Sequence, residues 1–283
     1  MAVEKIFVVG AGIMGSGIAQ MAASSGFHVI LNDINEQLAT GGKTKIQKTL
    51  EKLVAKGKWT QETADATLSR IQISSSLDDA VEADLVIEAA SENLEIKLEL
   101  FKKLCKICSN DAILATNTSS ISITSIAGAT NCPERVVGMH FFNPAPVMKL
   151  LEIVRGLTTT DETVAVAEEV GAKMGKVTVV AKDSPGFIVN RLLDPMLNEA
   201  VYLVHEGVAT PEDIDKAMVN GLNHPMGPCA LLDMIGLDIE LAIMDMFFEE
   251  YRDPKYRACP LLRRMVAAGH LGRKSGKGFY DYN

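Results

Sequence analysis

Lys5-Ile6-Phe7-Val8-Val9 is a short apolar run that leads into Gly10-Ala11-Gly12-Ile13-Met14-Gly15 and then into a helical stretch, and no other feature restricts the possible folds as much. Gly10 permits a tight turn, Gly12 keeps a Cβ out of the way of a pyrophosphate, and Gly15 lets the helix lie close to the strand. The helix start, with Ile13 and Met14 in its first turn, turns its positive dipole end toward the phosphates. A second run, Phe27 to Leu31, ends in Asn32-Asp33, so Asp33 stands 18 residues beyond Gly15, close to the spacing of about 20 at which an acid holds the adenosine ribose. A carboxylate there accepts from the ribose hydroxyls and repels a 2′-phosphate. No arginine lies beside it, so NAD is expected over NADP. Glycine turns also occur at ordinary strand-to-helix joints, and flavin adenine dinucleotide uses a similar fingerprint. The strand, the helix and the acid together favour a dinucleotide site, and the lack of a second flavin-type segment favours nicotinamide.

Strand-like runs then alternate with helical stretches through Ile71-Gln72-Ile73, Asp84 to Glu88, Ala112 to Ala115, Val136 to His140, Leu150 to Val154 and Val177 to Ala181. Such alternation predicts a mostly parallel sheet with helices on both faces. After Lys182-Asp183-Ser184-Pro185-Gly186 the character changes to amphipathic helices: about Ile188 to His205, one opened by Thr210-Pro211-Glu212-Asp213, Leu232 to Tyr251, and Leu261 to Ala268. The fold class expected is α/β: a Rossmann-type doubly wound sheet over residues 1–185, with a helical insertion near 36–70, and a second, all-helical C-terminal domain over 186–283. About a hundred residues rich in Leu, Met and Ile make a small second domain, and its apolar burial is expected to be completed by a twin in a homodimer.

Composition narrows the function classes. The chain has 283 residues, of which 47% are hydrophobic and 23% charged, and its formal net charge is −8. An acidic balance argues against nucleic acid, whose phosphates require clustered Lys and Arg. The start, Met1-Ala2-Val3-Glu4-Lys5, has no basic-then-apolar leader, and no apolar stretch reaches bilayer length, so no membrane association and a cytoplasmic location are expected. Of five cysteines, Cys105 and Cys108 have metal or redox spacing but fall in a helical pattern with no second pair. They read as reduced packing residues, and no metal is expected.

The chemistry is expected at His140, in Gly138-Met139-His140-Phe141-Phe142-Asn143-Pro144, with Glu152 in the next apolar run. An imidazole exchanges protons near neutral pH, and a carboxylate on its far nitrogen fixes the tautomer. A core histidine at a strand end is the ordinary alternative. Asn117 and Ser119 follow a strand end, where a doubly wound fold lines its ligand crevice, although the same residues could simply cap a helix. Glu92 and Lys97 could likewise be capping and dipole residues. Asn190 sits in the first turn of the second domain's first helix and would meet His140 if that helix faces the crevice. Lys45, Lys48, Lys52 and Lys56 recur at helical steps and form one cationic face, either solvated surface or a holder of substrate phosphates.

Gly138 to Pro144, Glu152, the Ser184 to Phe187 run with Asn190, the Pro225-Met226-Gly227-Pro228 turn and the closing Gly276-Lys277-Gly278-Phe279-Tyr280 together resemble the 3-hydroxyacyl-CoA dehydrogenase family, nearest to its short, single-function bacterial form. The resemblance runs almost end to end. It implies an NAD-dependent enzyme of fatty-acid and butyrate metabolism that interconverts acetoacetyl-CoA and (S)-3-hydroxybutyryl-CoA. It also implies that His140 is the general acid and base, that Glu152 orients it, and that Ser119 and Asn190 bond the reacting oxygen and the thioester region. Asp33, Glu92, Lys97, Ser119, Asn143 and Lys274 would contact NAD, and Thr49, Lys52 and Lys56 the CoA, with Thr49 standing where the family often has serine. The rival readings are a lysine-type 3-hydroxyacid dehydrogenase and a nucleotide-binding protein without turnover.

Overall fold

The structure is a computed structural model that describes residues 2–283. Two compact units divide it, Met1–Phe187 and Ile188–Asn283.

In the first unit the order of elements is β1 (Lys5–Val9), α1 (Ile13–Ser24), β2 (His28–Asn32), α2 (Glu36–Ala55), α3 (Gln61–Ser69), β3 (Ile71–Ser74), β4 (Leu85–Glu88), α4 (Leu94–Ile107), β5 (Ile113–Thr116), α5 (Ile123–Gly128), β6 (Val136–Phe141), β7 (Leu150–Arg155), α6 (Asp161–Lys173) and β8 (Val177–Lys182). The strands form one eight-stranded sheet in the order β3-β2-β1-β4-β5-β6-β7-β8. Every pair is parallel except β6 with β7. The first six strands in this order are those of a dinucleotide-binding fold, with the direction of winding reversing between β1 and β4.

Burial explains the strand sequences. β4, β5 and β6 are buried along their whole lengths, as expected of strands covered on both faces, which read as continuous apolar runs. Alternation sorts β1 between two cores. Ile6 and Val8 pack with Ile18, Ile46, Leu50 and Ile71, whereas Phe7 and Val9 pack with Val86, Phe101, Leu104 and Ile126. In the interval between β2 and β3, α2 and α3 form a hairpin, and Trp59 in its bend packs against the first core.

The second unit contains α7 (Val189–His205), α8 (Pro211–Leu222), α9 (Pro228–Ile235), α10 (Leu237–Tyr251) and α11 (Pro260–Ala267). Leu197, Val201, Leu232, Leu237, Met244, Phe247 and Leu262 form its core. The single helix expected over Leu232 to Tyr251 is broken. Gly236 adopts φ +110, outside the helical region, and separates α9 from α10.

Cys105, expected to be reduced, is instead disulfide-bonded to Cys132, 27 residues away, with the Cα atoms 6.2 Å apart, within bridging reach. Cys108 is free, and burial pushes its thiol up to about 11 although Arg135 pulls the other way. Among the described residues no helix is long and apolar enough to cross a membrane. No group of three or more His, Cys, Asp and Glu among them could hold a metal.

Candidate active site

The glycine turn sits where the winding reverses. Gly10 has φ +96, and a Cβ on it would come within 2.6 Å of the Ala89 carbonyl oxygen beyond β4. A Cβ on Gly15 would overlap the Gly10 carbonyl, whereas one on Gly12 would meet nothing within 4 Å. The middle glycine therefore opens onto free space. Helices α2 to α6 each have a side chain accepting from a first-turn amide: Asn35, Thr60, Asn93, Ser122 and Thr160. Helix α1 begins at Gly12 with no such bond, so its first amides are left for an anion. Ile13, 73% exposed, follows at once, with Met14 packed on the core beside it.

At the end of β2, Asp33 Oδ2 accepts from the Ala11 amide at 2.8 Å and Oδ1 from the Ile34 amide at 2.7 Å. Each oxygen keeps accepting capacity toward ligand hydroxyls. A cavity of about 610 Å³ adjoins it, with apolar walls from Ile34, Ile96 and Leu100. A carboxylate, an uncapped helix start and an apolar slot fit the ribose, the pyrophosphate and the adenine of NAD.

His140 and Glu152 come from the antiparallel pair of the sheet, β6 and β7. In its register His140 lies directly opposite Glu152, so both side chains leave the same face of the sheet. His140 Nδ1 is 2.7 Å from Glu152 Oε2, with His140 4% exposed and Glu152 fully buried. The other ring nitrogen, Nε2, is 3.1 Å from Ser119 Oγ. Phe142 and Phe187 flank the imidazole at 4.6 and 5.5 Å between ring centroids. A buried carboxylate on Nδ1 selects the tautomer that donates there, which makes Nε2 the proton acceptor.

Ser119 is held by a polar network that starts at Glu88, the last residue of β4. Glu88 Oε1 accepts from the Ala90 amide at 2.7 Å and Oε2 from the Thr116 hydroxyl at 2.6 Å. Both oxygens accept from Lys97 Nζ, at 2.6 and 2.7 Å. Lys97, expected to contact NAD, is only 1% exposed, and its ammonium also lies 3.5 Å from Glu92 Oε2. Glu92 Oε1 accepts from the Thr118 hydroxyl at 2.5 Å, the Ser119 amide at 3.0 Å, and the amide and hydroxyl of Ser120 at 3.1 and 3.0 Å. Burial pushes the Glu92 carboxyl up, but these donors and Lys97 outweigh it and hold the group below its ordinary value. Asn117, expected at the cofactor, spends its side-chain oxygen on the Phe141 amide at 2.9 Å and so ties the end of β5 to β6. Asn143 is exposed and precedes the cis-proline Pro144.

Thr49 and Lys52 lie exposed on α2 and Lys56 just past its end, and the Thr49 hydroxyl donates to the Lys45 carbonyl at 2.9 Å. No carboxylate pairs with Lys45, Lys48, Lys52 or Lys56 among the described residues. Asn190 and Lys274 belong to the second unit. Asn190 lies in the first turn of α7, and Lys274 Nζ donates to Asp238 Oδ2 at 2.7 Å. Glu88, Thr116 and Thr118 join the site without a motif that marks them in the sequence. The signal available was an acid ending an otherwise apolar strand, with a lysine nine residues on.

Comparison with known proteins follows the same division of the chain. Residues 5–184 match the family described as 3-hydroxyacyl-CoA dehydrogenase, NAD binding domain, and residues 186–282 match its C-terminal domain. A Bacillus subtilis (strain 168) protein described as "Probable 3-hydroxybutyryl-CoA dehydrogenase" is 53% identical, covering 100% of this chain and 98% of the relative. The 3-hydroxybutyryl-CoA dehydrogenase of Clostridioides difficile is 49% identical, covering 99% of each chain. Among solved structures, the (S)-3-hydroxybutyryl-CoA dehydrogenase PaaH1 from Ralstonia eutropha superposes with a TM-score of 0.97 at 48% identity, over 100% of both chains.

Proposed function

This chain belongs to the 3-hydroxyacyl-CoA dehydrogenase family, and on that footing we propose that it interconverts acetoacetyl-CoA and (S)-3-hydroxybutyryl-CoA, with His140 moving the proton. The observation that carries the reading is the Ser119–His140–Glu152 line, with its 3.1 and 2.7 Å contacts. NAD is the cofactor, and when bound it takes a hydride from C3 of the hydroxyacyl group or returns one to the ketone.

In the oxidative direction His140 Nε2 accepts the proton of the 3-hydroxyl. Glu152, fully buried, stabilises the imidazolium that results and keeps the ring from rotating. In the reductive direction the imidazolium returns that proton to the oxygen on C3, and acid–base help of this kind contributes roughly 10²–10⁴-fold. The Ser119 hydroxyl donates to the same oxygen as charge grows on it, and Asn190 is assigned to the thioester region. Asp33 and the amides at the start of α1, from Gly12 through Ile13 and Met14, hold the adenosine and diphosphate. Glu92, Lys97, Asn117, Asn143 and Lys274 are assigned to the nicotinamide side, and Thr49, Lys52 and Lys56 to the CoA. A homodimer formed through the second unit and a cytoplasmic setting belong to the same reading. The exposed Leu192, Met234 and Phe248 support the former.

The test is to mix the protein with acetoacetyl-CoA and NADH and follow the cofactor's absorbance. Steady oxidation of NADH with the CoA ester is expected. No oxidation would overturn the reading, and turnover of free 3-hydroxy acids in place of the ester would point to a lysine-type dehydrogenase.

A further inference from the structure

We infer that Glu88 is a positioning residue for the Ser119 hydroxyl, acting through Lys97 and Glu92. This rests on the proposed role of Ser119 and His140, and it assigns a task to a side chain that touches neither substrate nor cofactor in that reading.

Glu88 is fully buried and Lys97 is 1% exposed. Lys97 and Glu88 therefore pair out of reach of water, while the second carboxylate on the same ammonium, Glu92, is 42% exposed; the buried pair holds only if the remaining lone pairs of Glu88 are satisfied. At Glu88 this condition is met: the Ala90 amide, the Thr116 hydroxyl and Lys97 occupy both oxygens. Glu88 thereby fixes the position of Nζ, which lies 3.5 Å from Glu92 Oε2. Glu92 Oε1 gathers four donors from residues 118–120. One of these is the amide of Ser119, whose hydroxyl stands 3.1 Å from His140 Nε2. A second path is shorter. Thr116 Oγ1 donates to Glu88 and accepts from the Thr118 amide at 3.2 Å, so the turn carrying Ser119 is tied to Glu88 at its base as well.

This predicts more than a general loss of stability. Glu88→Gln keeps the shape, removes one of the two charges on Lys97, and sets an amide N–H₂ against a neighbouring donor. Lys97 then shifts toward Glu92, the turn moves, and the serine hydroxyl leaves its place. With NADH saturating, because Glu92 and Lys97 are themselves assigned to the nicotinamide side, the effect belongs in kcat, since the groups that hold the CoA are untouched.

The experiment is a double-mutant cycle in the full-length protein, with kcat and KM for acetoacetyl-CoA measured for the wild type, Glu88→Gln, Ser119→Ala and both together. Glu88→Gln is expected to lower kcat about tenfold, with KM within about threefold, and to have almost no further effect once Ser119 is alanine. Undiminished loss in the Ser119→Ala background, or full activity in Glu88→Gln, overturns the inference. If Glu88→Gln does not fold, Thr116→Val takes its place. It removes one neutral donor to Glu88, and its smaller loss must vanish in the same background, whereas an equal loss in both backgrounds overturns the inference. Glu88→Asp, which restores the charge, should recover part of kcat. If Ser119→Ala by itself is fully active, the proposed function fails at that residue, a result separable from the behaviour of Glu88.

Discussion

Both units bury carboxylates, but they treat them differently. In the first, Glu88 and Glu152 have no exposed surface, and each meets a partner that can carry positive charge, Lys97 or His140. In the second, Asp194 on α7 and Glu240 on α10 are 3% and 0% exposed, and Asp194 Oδ2 and both Glu240 oxygens have no hydrogen-bond partner. Burial pushes Asp194 up to about 7, and burial together with Asp194 pushes Glu240 well above its ordinary value. In the first unit a buried acid is set against a partner that can carry positive charge, and in the second, where no cation answers them, burial makes the acids hold their protons to higher pH.

The strongest way to break this contrast is at the paired histidine. His140→Gln should leave NAD affinity, measured by calorimetric titration, nearly unchanged while lowering kcat by roughly 10²–10⁴-fold. Near-normal turnover would remove the need for a charged partner at Glu152. Next in size is Lys97→Met, which strands Glu88 without its cation and should cost about 3–5 kcal/mol in denaturant unfolding. A loss below about 1 kcal/mol would mean that the pair is no stronger than one on the surface.

The unpaired acids sharpen the contrast through pH. Asp194 binds its proton more tightly folded than unfolded, so its contribution to stability is complete below the ordinary value of 3.8 and is lost as pH rises through about 7. Unfolding followed from pH 5 to pH 8 should show stability falling. Asp194→Asn should flatten that slope and be the more stable protein at pH 8, by about 1–3 kcal/mol; a parallel slope in the variant would show that the acid is ionised throughout. The smallest effect belongs to the exposed charges of the lysine stripe. Lys52→Ala with Lys56→Ala should raise KM for acetoacetyl-CoA up to about tenfold at low salt, with the difference shrinking as salt is added; an unchanged KM would make the stripe plain surface.

Some of this was legible in the chain and some was not, for physical reasons. The glycine turn and Asp33 were visible because backbone conformation and a strand-end acid leave local marks. His140 and Glu152 were visible because two adjacent strands bring them opposite each other within a short span. Lys97 was misleading. On an amphipathic helix a lysine reads as a solvated or dipole-complementing group, and only the third dimension shows Glu88 beneath it. Glu88 itself was hidden as the polar end of a strand. The break at Gly236 was masked by apolar periodicity on both sides, since one glycine inside such a pattern is often tolerated. The Cys105–Cys132 pairing depends on a loop path that no spacing encodes.

The bend of the α2–α3 hairpin holds Trp59, and the chain has no other tryptophan. Excited apart from the five tyrosines, its tryptophan emission therefore comes from a single known place, a few residues beyond Lys52 and Lys56. Any anionic molecule that settles on that arm and shifts it can be titrated by the protein's own fluorescence, without a dye or a tag.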